Sequence, residues 1–289
     1  MTSHPYAVRS VLAAMFALSL ASAAPAQPAA REDAGRAIVI GQSYALASTV
    51  LGDLRRINVY LPDHYADPTR TFPVLFLLDG GEHEDFHHVT GLAQINAAYG
   101  QGQELIVVGI EGVDRKHDLT SPATNPADRK RLPTSGGADD YRRFLKDELK
   151  PWVAARYRTN GHSALMGESL AGLFVAETLL REPSSFDDYV IVSPSLWWNQ
   201  GGLAGEAKAD LQRAKFAGAR AWIAFDDPPP PAEEAQRDRA RQDRLEAAFR
   251  EADPPGLTWT VTRPGETHGG IYHPAILRAF RALYGPPAS

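Results

Sequence analysis

Ser169 sits in the run Gly167-Glu168-Ser169-Leu170-Ala171-Gly172, between a short apolar stretch, Ser163 to Met166, and a longer run of small and apolar residues, Leu170 to Leu180. The first stretch has the content of a buried strand and the second that of a helix. A serine on a tight strand-to-helix turn is the setting of the G-x-S-x-G nucleophile elbow. The bend lifts the hydroxyl clear of the sheet edge, and small neighbours let the helix approach closely. The chemistry open to such a hydroxyl is attack on a carbonyl carbon. The N–H of Leu170 opens the helix, where aligned amide dipoles favour negative charge, and is a candidate oxyanion donor.

A serine hydroxyl is a weak nucleophile until a base takes its proton. In the chain order serine, acid, histidine, the base follows the last strand. His268 stands in Gly265-Glu266-Thr267-His268-Gly269-Gly270, just past the strand-like Leu257 to Thr262. His273, ahead of Pro274, is the competitor and reads as a cap or surface residue. The acid that orients the imidazole should follow the preceding strand, Ala221 to Phe225. Asp227 is the first choice, with Asp226 beside it and Glu233 or Glu234 available if the proline run Pro228 to Pro231 folds back. The second oxyanion donor is expected after an early central strand, at the Gly81 N–H, with Asp79 bracing that loop. Because the base works as neutral imidazole, activity should fall on acidification.

Other reactive residue types carry less. His83, Glu84, Asp85, His87 and His88 include metal-ligand types but read as a polar loop beside the site mouth, so neither metal nor cofactor is expected. Trp197 and Trp198 suit either an aromatic or acyl pocket or the core. Arg115 could meet an anionic substrate, but reads first as a loop brace paired with Asp118.

These residues need a frame. Pro73 to Leu78 and Leu105 to Ile110 are continuous apolar runs, as strands covered on both faces should be. Ala37 to Val50, Leu54 to Leu61, Tyr189 to Val192, Ala221 to Phe225 and Leu257 to Thr262 supply further strands, with helices expected at Gly91 to Tyr99, from Ala138 onward, at Arg237 to Glu251 and at Ala275 to Tyr284. Pro151 should bend or end the helix that begins near Ala138. Glu111 to Gly137 has no sustained period and reads as a long loop bordering the site. Strands alternating with helices predict an α/β chain with a mostly parallel central sheet, helices on both faces, and chemistry at the carboxyl ends of the strands.

The 289 residues, 44% of them hydrophobic, suit one large domain. The net charge of -5 and the lack of any basic run interleaved with aromatics exclude a nucleic-acid partner. With no cysteine, there is no disulfide, thiolate zinc site or cysteine nucleophile. Arg9, the apolar run Val11 to Leu20 and Ala24-Pro25-Ala26 have the order of a signal peptide over residues 1–26, leaving residues 27–289 as the mature domain, periplasmic or secreted and not inserted in a membrane.

Phe72 to Gly81, Arg115 and Asp118 before Leu119-Thr120, Gly136-Gly137-Ala138-Asp139, Gly167 to Phe174 and Ser193-Pro194-Ser195-Leu196-Trp197-Trp198 together resemble, in order, segments of the putative-esterase family, which includes esterase D, siderophore esterases and mycolyltransferases. The resemblance covers about Val59 to Leu283. It implies the α/β-hydrolase fold, ester hydrolysis on a small-molecule substrate, Ser169 and His268 as catalytic, and Gly81 and Leu170 near the oxyanion. Ala171 stands where relatives commonly have Gly, and Gly270 where they have Ser; the usual acid signature is not clean, and some relatives manage with a Ser-His pair. Rival readings are an acyltransferase on the same residues and an inactive exported binding protein.

Overall fold

A computed structural model describes residues 35–227 and 233–286. The chain divides into two compact units, Met1–Ile38 and Val39–Ser289. Of the first, residues 35–38 are described and form no regular element. The expected signal peptide and the run Pro228 to Pro231 lie outside the described residues.

Among the described residues, eight strands form one sheet: β1 (Gln42–Ala47), β2 (Leu54–Tyr60), β3 (Phe72–Leu78), β4 (Ile106–Ile110), β5 (Thr159–Glu168), β6 (Asp188–Val192), β7 (Ala219–Ala224) and β8 (Leu257–Thr262), in the spatial order β1-β2-β4-β3-β5-β6-β7-β8. β1 and β2 are antiparallel, as are β2 and β4; every other pairing is parallel. The helices are α1 (Phe86–Ala98), α2 (Arg115–Asp118), α3 (Pro126–Arg131), α4 (Ala138–Arg143), α5 (Lys150–Ala154), α6 (Leu170–Arg181), α7 (Gly202–Arg213), α8 (Glu233–Ala252) and α9 (Tyr272–Tyr284).

The continuous apolar run of β3 follows from burial on both faces. Val74, Phe76 and Leu78 belong to the core that the sheet shares with α4 to α8, while Leu75 and Leu77 face the core shared with α1 and α9. Each large side chain so buried contributes about 1.5–3 kcal/mol, and Leu75, Phe76 and Leu77 are all at or below 2% exposure. The parallel order sets the carboxyl ends of β3 and of β5 to β8 along one rim, which receives the loops carrying Asp79, Ser169, Ser193, Asp226 and His268.

Several elements differ from the sequence reading. Residues 37–41 are not in a strand, and β1 is confined to Gln42–Ala47. α1 begins five residues earlier than the predicted helix and so takes in His87 and His88. The stretch read as a loop, Glu111 to Gly137, contains α2 and α3, capped by Asp114 and Asn125 side chains accepting from His117 and Asp128 amides. Between α4 and α5 the chain continues as a π-helical turn, Phe144–Leu149. That wider turn accommodates Pro151, which has no amide hydrogen to donate and would crowd the carbonyl four residues back. α7 fills a segment with no predicted helix.

Candidate active site

Ser169 occupies the turn between β5 and α6 with φ +62° and ψ −119°, a strained conformation for a residue with a side chain. Backbone bonds hold it there: its N–H donates to Val192 O at 3.1 Å, and its carbonyl accepts from Leu173 N and Ser195 N, each at 2.9 Å. The flanking glycines are sterically required. A Cβ on Gly167 would lie 2.5 Å from the Ala171 Cβ, and one on Gly172 would lie 2.5 Å from Val192 O. Leu170 is the first residue of α6, so its N–H has no acceptor within the helix.

Ser169 lines an open cleft of about 550 Å³ together with Leu170, Ser193, Trp197, Asp226 and His268. His268 lies in the exposed connection between β8 and α9. Its Nδ1 is 2.7 Å from Ser193 Oγ. The Ser169 hydroxyl is 3.3 Å from Ser195 Oγ. Ser169 and His268 line the same cleft without a hydrogen bond between them.

The sequence-predicted acids and the Gly81 amide each have a partner other than His268 or Ser169. The Asp227 carboxylate pairs with Arg239 on α8, and its N–H donates to Glu266 O at 2.7 Å. Asp226 accepts from Gln242 Nε2 at 2.9 Å. Glu234 lines the cleft rim but pairs with Arg237 and Arg241, and Glu233 pairs with Arg237. The imidazole's partner is a serine, and the carboxylates are drawn off by the Arg-rich helix α8. The Gly81 N–H donates to Glu84 Oε2 at 2.7 Å, and Gly81 lines a neighbouring cleft with Arg56, Glu84 and Glu111. Its amide is occupied by a side-chain carboxylate, and Gly81 is not among the residues lining Ser169's cleft.

Arg115 also departs from the sequence reading. It binds Asp79, not Asp118, with Nε 2.8 Å from both carboxylate oxygens, and its Nη2 reaches Glu168 O at 3.3 Å. Asp118 is turned inward to a buried pair with Arg55. Asp79 has φ +52° and braces its loop, its carbonyl accepting from Asp85 N at 3.0 Å. Burial pushes Asp79 up to about 6 against the opposing pull of Arg115, and burial with the nearby Glu84 pushes Asp85 up to about 6. Glu168, beside the serine, is pushed up to about 7 by burial and by Asp85 and Asp79. Its Oε1 is buried without a hydrogen-bond partner.

The two tryptophans divide between the alternatives. Trp198 is 2% exposed and donates from Nε1 to Ser121 Oγ at 3.2 Å. Trp197 is half-buried on the cleft wall, with the Arg131 guanidinium 3.6 Å from its ring centroid. His273 is held on α9 by a ring-to-ring hydrogen bond with His88, and His83 lies in the turn before α1. Among the described residues, no group of three or more His, Cys, Asp or Glu could hold a metal ion, and no helix is long and apolar enough to cross a membrane.

The chain is similar to the ferri-bacillibactin esterase BesA of Bacillus subtilis, 30% identical over 46% of this chain and 51% of that protein. It is also similar to the siderophore triacetylfusarinine C esterase of Aspergillus fumigatus, 30% identical over 57% of this chain and 60% of that protein. The chain thus spans about half the length of these curated relatives. Among solved structures, an IroE-like serine hydrolase from Shewanella oneidensis superposes with a TM-score of 0.77 at 26% identity, over 84% of this chain and 80% of that one. The shared architecture is the α/β-hydrolase fold. The family model described as "Putative esterase" matches residues 48–251, which span most of the sheet, and the chain belongs to that family.

Proposed function

We propose that this chain is an exported serine esterase that hydrolyses carboxylic esters through an acyl-enzyme on Ser169. The observation that carries the reading is the positive-φ serine between β5 and α6, opening on the cleft that His268 also lines. In the first step His268 takes the Ser169 proton as Oγ bonds to the ester carbonyl carbon. The alcohol then leaves with a proton from the imidazolium, and water activated by the same imidazole releases the acid. The Leu170 N–H at the start of α6 is the assigned oxyanion donor.

The two curated relatives, named for ferri-bacillibactin and for the siderophore triacetylfusarinine C, and the Trp197–Arg131 wall together support bulky or aromatic esters as substrate class. Planar rings stack on the indole, and anionic ring substituents meet the guanidinium. Export rests on the leader-like residues 1–26, and a mature N-terminus at Gln27 in the secreted or periplasmic fraction checks it. Incubation with a fluorophosphonate followed by peptide mass analysis tests the nucleophile, with labelling of Ser169 expected. An unlabelled Ser169 in folded protein refutes the mechanism. Nitrophenyl esters of increasing acyl length, beside catecholate-siderophore and feruloyl esters, test the substrate class, and product analysis with added alcohol separates hydrolysis from acyl transfer.

A further inference from the structure

His268 has a partner at Nδ1, and it is not a carboxylate. Ser193 follows directly on β6, is 3% exposed, and places Oγ 2.7 Å from that nitrogen. Its backbone is held in the positive-φ region, φ +39°, ahead of Pro194, a conformation that residues with side chains adopt only when their surroundings impose it. Its N–H donates to Ala224 O at 2.8 Å, at the end of β7. Two residues on, Ser195 N donates to the carbonyl of Ser169, and Ser169 N donates to the last residue of β6. The segment 193–195 and the nucleophile turn therefore form one rigid frame. The acids that could have filled this role have other partners: Gln242 for Asp226 and Arg239 for Asp227.

We infer that Ser193 is the positioning residue for His268, its Oγ accepting the Nδ1–H bond that a triad carboxylate would otherwise accept. The inference rests on the reading of Ser169 and His268 given above. A neutral imidazole carries one N–H. With that hydrogen on Nδ1 and donated to Ser193 Oγ, the lone pair lies on Nε2, the form that can take the Ser169 proton. During acylation the proton of Ser169 Oγ moves to Nε2 as the Oγ–C bond forms. It passes from Nε2 to the departing alkoxide as the C–O bond breaks. Ser193 keeps its own hydrogen throughout and exchanges no proton, so the imidazolium is stabilised by a hydroxyl dipole without a full negative charge.

An uncharged acceptor predicts a milder dependence than a triad carboxylate shows. A neutral hydrogen bond contributes about 0.5–1.5 kcal/mol, so Ser193→Ala should lower kcat by about two- to thirteenfold with KM unchanged, far less than the roughly 10⁴-fold loss on neutralising a triad aspartate. Ser193→Asp keeps an acceptor, and aspartate tolerates positive φ. Its carboxylate would favour imidazolium, moving the acid limb of the kcat/KM–pH profile to higher pH. A side chain that only packs would not move that limb. The experiment compares Ser193→Ala, Ser193→Asp, Asp227→Asn and His268→Ala on one nitrophenyl ester across pH, with thermal melts and fluorophosphonate labelling of each. The expected result is a kcat deficit in Ser193→Ala, a shifted acid limb in Ser193→Asp, and near-native turnover in Asp227→Asn. Wild-type kcat in Ser193→Ala, or an Asp227→Asn that loses several orders of magnitude, overturns the inference while His268→Ala is inactive. If His268→Ala stays active or Ser169 escapes labelling, the underlying mechanism fails instead. Should Ser193→Ala not fold, the pH profile of Ser193→Asp decides alone: an unmoved acid limb overturns the inference.

Discussion

Arg115 grips both carboxylate oxygens of Asp79 through a single nitrogen, at 2.8 Å each, and lays a second nitrogen against the carbonyl of Glu168. One side chain thereby ties the loop after β3 to the turn that carries Ser169. Replacing it by methionine keeps the aliphatic stem and strands a buried acceptor, which costs about 1–3 kcal/mol. The loss should be largest near pH 8 and shrink below pH 6, because Asp79, pushed up to about 6, is then neutral. Urea denaturation of Arg115→Met and wild type at both pH values measures this. An equal loss at both would refute the coupling to Asp79.

Glu168 gives the molecule a second pH signature. Its folded value of about 7 lies above its ordinary value of 4.5, so between those values the folded chain holds a proton that the unfolded chain has released. The stability this contributes is present below about pH 4.5 and is lost as pH rises through about 7. Glu168→Gln keeps the neutral shape at every pH. Its melting temperature should match wild type at acid pH and exceed it at pH 8, and a constant offset across the range would contradict the assignment.

Trp197 and Arg131 make one wall of the cleft. Trp197→Ala should raise KM for aryl esters by about 5- to 30-fold, the worth of about 1–2 kcal/mol of ring contact. Short aliphatic esters should change little. A uniform effect across both series would show that the indole supports the fold and not the substrate.

At the opposite rim, Asp188 is wholly buried and takes Arg220 at 2.6 and 2.7 Å and His162 at 2.7 Å. Asp188→Asn leaves the half-exposed Arg220 without its charged acceptor and should cost about 1–3 kcal/mol. Ester turnover well below the melting temperature should be unaffected, since the cluster sits at the strand starts. A kcat loss in the folded variant would contradict this separation.

Much of this was legible in the residues themselves. β3, β4 and β6 could be placed because a two-sided burial leaves an unbroken apolar run, and α6 because small residues follow the serine directly. α7 was missed: Leu203, Ala204, Ala207 and Leu211 do fall on one face, but glycines at its start and a charged middle hide the period. Arg115 and Asp118 looked like partners because they lie three apart, yet α2 turns Asp118 inward to Arg55. The contact of Ser193 with His268 spans 75 residues, and nothing in a serine before a proline announces it. The aspartates after β7 were in the right place along the chain. Arginine and glutamine on α8 claimed them, a competition among side chains that no spacing rule encodes.

The parallel run of β3 and β5 to β8 also gives the molecule a front and a back. Turns that feed these strands, such as the one at Gly218 before β7, lie at the end of the sheet away from Ser169, and a Cβ added at Gly218 meets nothing within 4 Å. A dye or resin tether attached on that side would leave the cleft at Ser169 facing the bulk liquid.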